Sequence, residues 1–321
     1  MRRKAIAMAV YVMAIIVSLT SIGTAASFPS GTITIICPHG AGGGTDAIAR
    51  ALAKAAERQF GQNVVVVNIT GGSGAVGMTD GLRRKADGYT ITLATVEMVL
   101  HPTMGMVPWK ATDFKPIMRV NFDPSAVTVR ADSPWHTLEE FLEHAEKNPG
   151  RVKVGTSAPG TIWDLAAAAL GEAAGVSFNQ IPYAGGAIEA IKDLLGAHID
   201  AITVSPGEVS AYVDSGKFRI LGIMSADRDA KFLEVPTLSE RGLNLEISTW
   251  RALVAPKGTP DAVIKTLHDG FKKAMADPAF VQFMNNGGFS IGYMGAADLA
   301  TYVASQEKTF APILKKQGLA K

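Results

Sequence analysis

A glycine-rich loop gives the sequence its clearest binding chemistry. It runs from Pro38 to Asp46 and includes three consecutive glycines. It follows an apolar run typical of a strand and opens a helical pattern, where Thr45 or Asp46 is suited to cap the helix. Such a loop exposes backbone N–H groups at the positive end of a helix, which favours an anion such as a carboxylate or phosphate. A tight turn without a ligand needs fewer glycines. The predicted ligand-binding residues of the loop are His39, Gly40, Ala41, Gly42 and Gly43.

Three later turns join a β-rich run to a helical stretch in the same way. In Gly155–Thr161, the hydroxyls of Ser157 and Thr161 accompany the N–H groups of a helix start. Trp163 follows in the first helical turn, where it either lies over a ligand or packs between lobes. Turns at the carboxyl ends of parallel strands converge on a crevice. The remaining two turns therefore add Tyr183, of Ile181–Gly186, and Ser205, of Val204–Glu208, to the predicted site.

The segment Gly72–Gly77 matches the G-x-G-x-x-G fingerprint of dinucleotide-binding proteins, and Glu97 lies 20 residues beyond Gly77. However, the segment follows the second predicted strand rather than the first, and the helical stretch after it, Met78–Lys85, is short. We therefore expect a loop that packs beneath the first loop or forms a wall of the cleft. A nucleotide-dependent oxidoreductase is the alternative.

Residues able to perform catalysis or to hold a metal are poorly grouped. The six histidines show no H-x-x-x-H spacing, and Ser157 lies in no G-x-S-x-G motif. Cys37 is the single cysteine, so it cannot form an internal disulfide, and its apolar surroundings indicate a small buried hydrophobe. The sequence predicts a protein that is not an enzyme and that uses no cofactor or metal.

The N-terminus has the order of a secretory signal. Arg2, Arg3 and Lys4 precede an uncharged apolar run, Ala5–Leu19, and small residues extend to Ala26. The run is shorter than the roughly 20 residues of a membrane-spanning helix. Cleavage after Ala26 would leave 28 basic residues against 29 acidic ones, a net charge of about −1. That charge gives no electrostatic basis for binding nucleic acid. We expect a periplasmic protein exported with a cleaved signal.

The remaining chain alternates β-rich and helical stretches, which predicts an α/β protein with largely parallel sheets. Its length of about 295 residues exceeds what one hydrophobic core usually supports, so two lobes are expected. The predicted crossings lie near Phe122–Pro124 and Ser225–Asp227. The predicted organisation is a signal peptide (1–26), lobe I (27–123 plus 227–321) and lobe II (124–226), with a hinged ligand cleft between the lobes.

Motifs over most of the chain resemble the periplasmic solute-binding receptors of tripartite tricarboxylate transporters, the Bug receptor family. Each motif is weak alone, but their order and coverage are specific, and some resemble the tricarboxylate-receptor branch. The motifs are Phe28–Pro29, Pro38–Asp46, Gly71–Gly77, Asp87–Thr90, Asp132–Trp135, Ile162–Trp163, Pro182–Tyr183, Asp200, Val204–Pro206, Gly216–Lys217, Val235–Thr237 and Ala255–Pro260.

The resemblance implies a two-lobed, type II periplasmic-binding-protein fold that closes on a di- or tricarboxylate or a related acid. It implies delivery to a membrane permease of one large and one small subunit. It also implies that His39–Gly43, with Ser157 and Thr161, hold a ligand carboxylate. Asp164 stands where relatives often have histidine. If that carboxylate reaches the cleft it disfavours citrate, whereas it is harmless if it only caps the helix. A monomer is expected of a receptor that opens and closes, and a ligand-sensing subunit for a sensor kinase is the alternative role.

Overall fold

A computed structural model of the protein describes residues 28–320, so the predicted signal peptide lies outside the described residues. No helix in that range is both long enough and apolar enough to span a bilayer. The strands are β1 (Ile33–Cys37), β2 (Val64–Asn68), β3 (Thr90–Thr95), β4 (Phe114–Pro124), β5 (Ala126–Arg130), β6 (Lys153–Ser157), β7 (Asn179–Tyr183), β8 (Ala201–Ile202), β9 (Phe218–Ile223), β10 (Ser248–Pro256) and β11 (Ile291–Gly295).

The α-helices of the described residues fill most of the connections between strands. They are α1 (Gly44–Phe60), α2 (Ala75–Arg83), α3 (Glu97–Thr103), α4 (Leu138–Lys147), α5 (Ile162–Ala174), α6 (Ala187–Leu195), α7 (Pro206–Asp214), α8 (Asp261–Met275), α9 (Pro278–Gly287) and α10 (Ala296–Lys316).

The first sheet has six strands in the order β11-β4-β10-β3-β1-β2. Strand β1 pairs in parallel with β2 and β3, whereas β10 and β11 pair antiparallel with their neighbours. Helix α1 packs on β1 and β2 and buries Ile48 and Leu52 completely. It ends at Gly61, which takes the left-handed conformation (φ 62°) that glycine adopts without strain. The apolar face of α1 thus fixes the direction in which its N-terminus points.

The second sheet has five strands in the order β7-β6-β8-β5-β9. Strand β6 pairs in parallel with β7 and β8, and β5 pairs antiparallel with β8 and β9. Helix α5 packs on β6 and β7 and buries Leu165 and Leu170. The edge of β9 is extended by a short segment, since the N–H of Ile223 donates to Pro236 and the N–H of Leu238 donates to Ile223.

The sequence pattern predicts helices that match α1, α4, α5, α6, α8 and α10 to within one residue at each end; they are Thr45–Phe60, Thr137–Asn148, Ile162–Ala174, Ala187–Leu195, Ala262–Ala276 and Ala297–Gln317. The predicted Met78–Lys85 starts three residues after α2 does, and α3 and α9 were not predicted. The prediction of largely parallel sheets is wrong, because both sheets are mixed. Strands β4, β10 and β11 were not predicted. Strand β10 is buried along nearly its whole length, so it lacks the alternation of a half-buried strand, and Arg251 interrupts its apolar run.

The chain passes from one sheet to the other around Ser125 and again after Ile247. Backbone hydrogen bonds tie these passages together, because the N–H of Ser125 donates to Ile247 (2.8 Å) and the N–H of Met224 donates to Ser125 (2.8 Å). The division into lobe I and lobe II, with its hinge and its boundaries at residues 123 and 226, stays a proposal.

Candidate functional site

A cavity of about 300 Å³ lies among loops that follow strands of both sheets. This volume is at the small end of the range for ligand pockets. The cavity is lined by the glycine-rich loop, residues 70–74, the ends of β3 and β6, the loop before α6, and residues of α7 and β10. Six of the predicted site residues line it: His39, Gly40, Gly43, Ser157, Thr161 and Trp163.

The glycine-rich loop is held in shape by Asp46. This carboxylate accepts hydrogen bonds from the N–H of Gly42 (3.0 Å), Nδ2 of Asn68 (2.8 Å) and Nε of Arg50 (3.0 Å). Burial works against ionisation of Asp46, but these hydrogen bonds outweigh it and lower its pKa. Neither Thr45 nor Asp46 caps α1 as predicted, because the N-cap is Gly43. The first N–H groups of α1 therefore have no side-chain cap and lie at the cavity wall.

Arg251 is the largest addition that the structure makes to the predicted site. Its side chain is 2% exposed and pairs with Asp123, Nη1 to Oδ2 at 2.8 Å. Nη1 also donates to Asn121 (2.6 Å), and Nε donates to the hydroxyl of Thr45 (2.9 Å). Within the described residues Nη2 makes no hydrogen bond, and it lies 4.0 Å from Oε1 of Glu208. The guanidinium is thus fixed on one side and presents free N–H groups on the other.

Glycine at position 44 is what allows this arrangement. A Cβ at Gly44 would lie 2.9 Å from Cγ of Glu208 and 3.2 Å from Nη2 of Arg251. The start of α1 is therefore packed directly against both charged side chains. Burial raises the pKa of Glu208 and of Asp123, and in both cases the neighbouring Arg251 opposes the shift.

Glu97 is a second lining residue that the site prediction omitted. It is 4% exposed, and its Oε2 accepts a hydrogen bond from the hydroxyl of Thr95 (2.5 Å). Its Oε1 accepts the N–H of Ile162 at the start of α5 across 3.4 Å, a long hydrogen bond. The Thr95 hydroxyl also contacts Nε2 of His39 (3.1 Å). Burial lowers the pKa of His39, although the charge of Glu97 opposes this.

The second predicted loop also lines the cavity, but its hydroxyls are already engaged. Thr161 is the N-cap of α5 without a side-chain capping bond, and its hydroxyl donates to the carbonyl of Ala158 (2.5 Å) and contacts Ser157. Trp163 is 6% exposed; it lines the cavity and also packs in the hydrophobic core.

Four of the predicted site residues do not line the cavity. Ala41 and Gly42 lie on the outer side of the glycine-rich loop, where both are exposed. The hydroxyl of Tyr183 donates to Asp193 (2.6 Å), and burial, together with this hydrogen bond, raises the pKa of Tyr183. Ser205 is fully buried and its hydroxyl donates to Glu208 (3.4 Å). Ser205 can therefore act on the cavity only through Glu208.

The structure also shows the surroundings of Asp164 and of the Gly72–Gly77 segment, whose roles the sequence left open. Asp164 does not line the cavity; it accepts the N–H of Gly160 (2.8 Å) and the hydroxyl of Thr156 (3.3 Å), and burial raises its pKa against these bonds. Trp250 is fully buried beside Tyr302. The Gly72–Gly77 segment packs under the first loop, since a Cβ at Gly77 would lie 2.8 Å from Cα of Pro38.

Burial raises the pKa of the Cys37 thiol to about 11, which fits a buried and unreactive side chain. Residues 28–320 contain no group of three or more histidine, cysteine, aspartate or glutamate side chains placed to hold a metal. The site thus offers hydrogen-bond donors and fixed charges for binding.

Known proteins resemble this chain over nearly its whole length. The sequence model of the tripartite tricarboxylate transporter family receptor (TctC) matches residues 48–319. The UPF0065 protein in the gbd 5′ region of Cupriavidus necator is 33% identical over 92% of this chain and 90% of its own length. The structure of the periplasmic binding protein BugD is 30% identical, with a TM-score of 0.86, over 92% of this chain and all of the BugD chain.

A TctC solute-binding protein from Polaromonas, solved without ligand, is 39% identical, with a TM-score of 0.71, over 90% of this chain and all of its own. These comparisons confirm the resemblance given by the sequence motifs and the α/β periplasmic-binding-protein fold, and the matching family and structures are binding proteins and not enzymes. The chain belongs to the tripartite tricarboxylate transporter receptor family, whose members are periplasmic solute-binding proteins of the TctC and Bug type.

Proposed function

We propose that the protein is exported with a cleaved signal, captures a small organic carboxylate in this cavity, and delivers it to the membrane permease of a tripartite tricarboxylate transporter. The observation that carries the proposal is the meeting of two anion-binding elements at one cavity wall. These are the free Nη2 of Arg251 and the uncapped start of α1 beside Gly44.

These two elements are sufficient to orient one carboxylate. A hydrogen bond between a charged group and a neutral partner contributes roughly 1.5–3 kcal/mol net. The guanidinium is planar and rigidly held, so it loses little conformational freedom when it binds a carboxylate. Helix N-termini favour anions for the reasons that make phosphate sites common there. His39, Gly40 and Gly43 of the glycine-rich loop also line the proposed site, together with Ser157, Thr161 and Trp163.

Binding is tested by calorimetry and thermal shift with the chain from residue 27 onward. The panel contains mono-, di- and tricarboxylates and amino acids, with sugars as the comparison class. A ligand at 100 times its Kd stabilises the folded state by about 2.7 kcal/mol. A response to sugars but to no carboxylate contradicts the proposal.

Gly43→Val tests the location of the site. A Cβ at Gly43 would meet only Gly40 O, at 3.5 Å, so the fold tolerates it, while the larger side chain blocks approach to the start of α1. Gly258→Val is the matched control, because a Cβ there makes one ordinary contact, with Ala86, and Gly258 does not line the cavity. Gly43→Val should lose most of the binding and Gly258→Val should retain it. Equal affinities would remove the glycine-rich loop from the site.

Delivery is tested separately from binding. A strain that lacks this receptor but retains its permease should fail to take up the bound acid, and the gene supplied in trans should restore uptake. Unchanged uptake in the deletion strain contradicts the transport role and leaves binding untouched.

A further inference from the structure

The charges around the cavity do not suit a ligand with several carboxylates. Glu97, Glu189 and Glu208 line the cavity. Arg251 is the only lysine or arginine among the described residues that line it, and Asp123 already pairs with its guanidinium at 2.8 Å. Carboxylates therefore outnumber the cation. A second or third ligand carboxylate would enter next to buried negative charge, which is costly away from water.

Two helix starts at the cavity could bind an anion, those of α1 and α5, and a carboxylate of the protein itself already lies at the start of α5. The start of α5 has no side-chain cap from Thr161, and the N–H of Ile162 instead points to Oε1 of Glu97. Glu97 follows β3 in the first sheet, whereas α5 belongs to the second. A carboxylate of this chain thus lies where a second ligand carboxylate would bind. Only the wall formed by Arg251 and the start of α1 stays open to an anion.

A positively charged ligand group would meet complementary carboxylates in the same cavity. Glu97 is 4% exposed and Glu208 has an 8% exposed side chain, so both are shielded from water. Glu97 is the first residue of α3 and Glu208 lies in the first turn of α7, so two separate elements bring acid groups to the cavity. An ammonium group could donate hydrogen bonds to both while its own carboxylate contacts Arg251.

We infer that the ligand carries one carboxylate and one cationic nitrogen, as a neutral amino acid does, with Glu97 and Glu208 receiving the nitrogen. This rests on the proposed function and names the ligand class of that site. It excludes multiply charged acids such as citrate as the preferred ligands. Membership of the receptor family does not distinguish these ligand classes; the charges that line the cavity of this chain do.

Calorimetry with matched small acids tests the inference. Propanoate and butanoate supply one carboxylate, succinate and glutarate supply two, and alanine, 3-aminopropanoate and 4-aminobutanoate add an amine to one. At least one amino acid should bind 10-fold or more tightly than both its deaminated analogue and the dicarboxylates. A dicarboxylate that binds most tightly overturns the inference and leaves the proposed function in place. A complete lack of binding by carboxylates and amino acids removes both.

Variants that remove one negative charge test whether Glu97 and Glu208 bind the ligand nitrogen. Glu97→Gln and Glu208→Gln preserve the side-chain shape, and each should weaken amino-acid binding at least 10-fold while dicarboxylate binding stays the same or improves. Glu246→Gln is the control, since Glu246 is exposed and does not line the cavity. If both cavity variants bind amino acids as well as the control does, Glu97 and Glu208 do not receive the nitrogen and the inference fails. Should a variant not fold, the ligand series on the unaltered chain still decides.

Discussion

The buried pair of Arg251 and Asp123 can be tested by a double-mutant cycle. The side chains are 2% and 1% exposed and their charged atoms are 2.8 Å apart. Removing one partner of such a pair costs about 3–5 kcal/mol, because the other charge is left buried without compensation. Asp123→Asn is the sharper change, since the amide oxygen can still accept the N–H of Ser290, which now bonds to Asp123 Oδ1 at 2.8 Å. We expect it to destabilise the fold by about 3 kcal/mol, the lower end of that range.

The assay is thermal unfolding of the ligand-free protein, followed by circular dichroism. The unfolding entropy is about 2.1 cal/mol/K per residue, or about 0.6 kcal/mol/K for about 295 residues, so 1 kcal/mol corresponds to about 1.6 °C and Asp123→Asn should lower Tm by about 5 °C. Arg251→Met should also destabilise the fold. The double variant should cost less than the two single changes together by at least about 1.5 kcal/mol, because the attraction between Arg251 and Asp123 is then lost only once. Glu208, 4.0 Å from Nη2, loses its cation in Arg251→Met and in the double variant alike, so it does not affect this difference. Additive effects, or a Tm change below about 2 °C for Asp123→Asn, would refute a buried ion pair at this position.

Three further outcomes are expected. Burial lowers the pKa of His101, whose ring nitrogens have no hydrogen-bond partner in the described part of the chain. Below pH 6.5, the usual pKa of histidine, the unfolded chain therefore binds a proton that the folded chain does not. The free energy of unfolding should fall as pH drops below about 6.5, by up to about 1.4 kcal/mol per pH unit. In urea unfolding, His101→Leu should show a smaller dependence of this free energy on pH; an unchanged dependence contradicts the role of His101. Gly44→Ala should weaken ligand binding about 10-fold by displacing Glu208, and the crowding should lower the free energy of unfolding by about 1–3 kcal/mol. Gly43→Ala should change the affinity measured by calorimetry by less than about twofold. Equal effects of the two variants contradict the packing at Gly44. Tyr183→Phe should leave ligand affinity within about twofold of the unaltered chain, since Tyr183 bonds to Asp193 outside the cavity, and a larger loss would place it in the site.

The part of the site that could be predicted is local in the sequence. The Pro38–Asp46 loop shows a strand, a run of glycines and a helix within a few residues, and the backbone geometry follows from that order. The same holds for Gly155–Thr161. Both loops line the cavity, and the helices that position them were predicted nearly to the residue.

The charged residues of the site could not be predicted, because the topology brings them together from distant parts of the chain. Arg251 reaches the loop at Thr45 through an antiparallel strand that the sequence pattern did not reveal. One signal was present: a single arginine within an apolar run of strand length requires a buried partner. The sequence distinguishes Glu97 only by its distance from Gly77, whereas its contact with Ile162 depends on how the two sheets meet.

The network around Asp46 has a kinetic consequence. Three donors hold this carboxylate, and Asn68 also donates to the carbonyl of His39 (3.0 Å), so contacts within the chain already hold the loop in this shape without a solute. Little entropy is then lost in ordering the loop on encounter. Among relatives that share such a loop, differences in affinity should lie in residence time and not in the association rate.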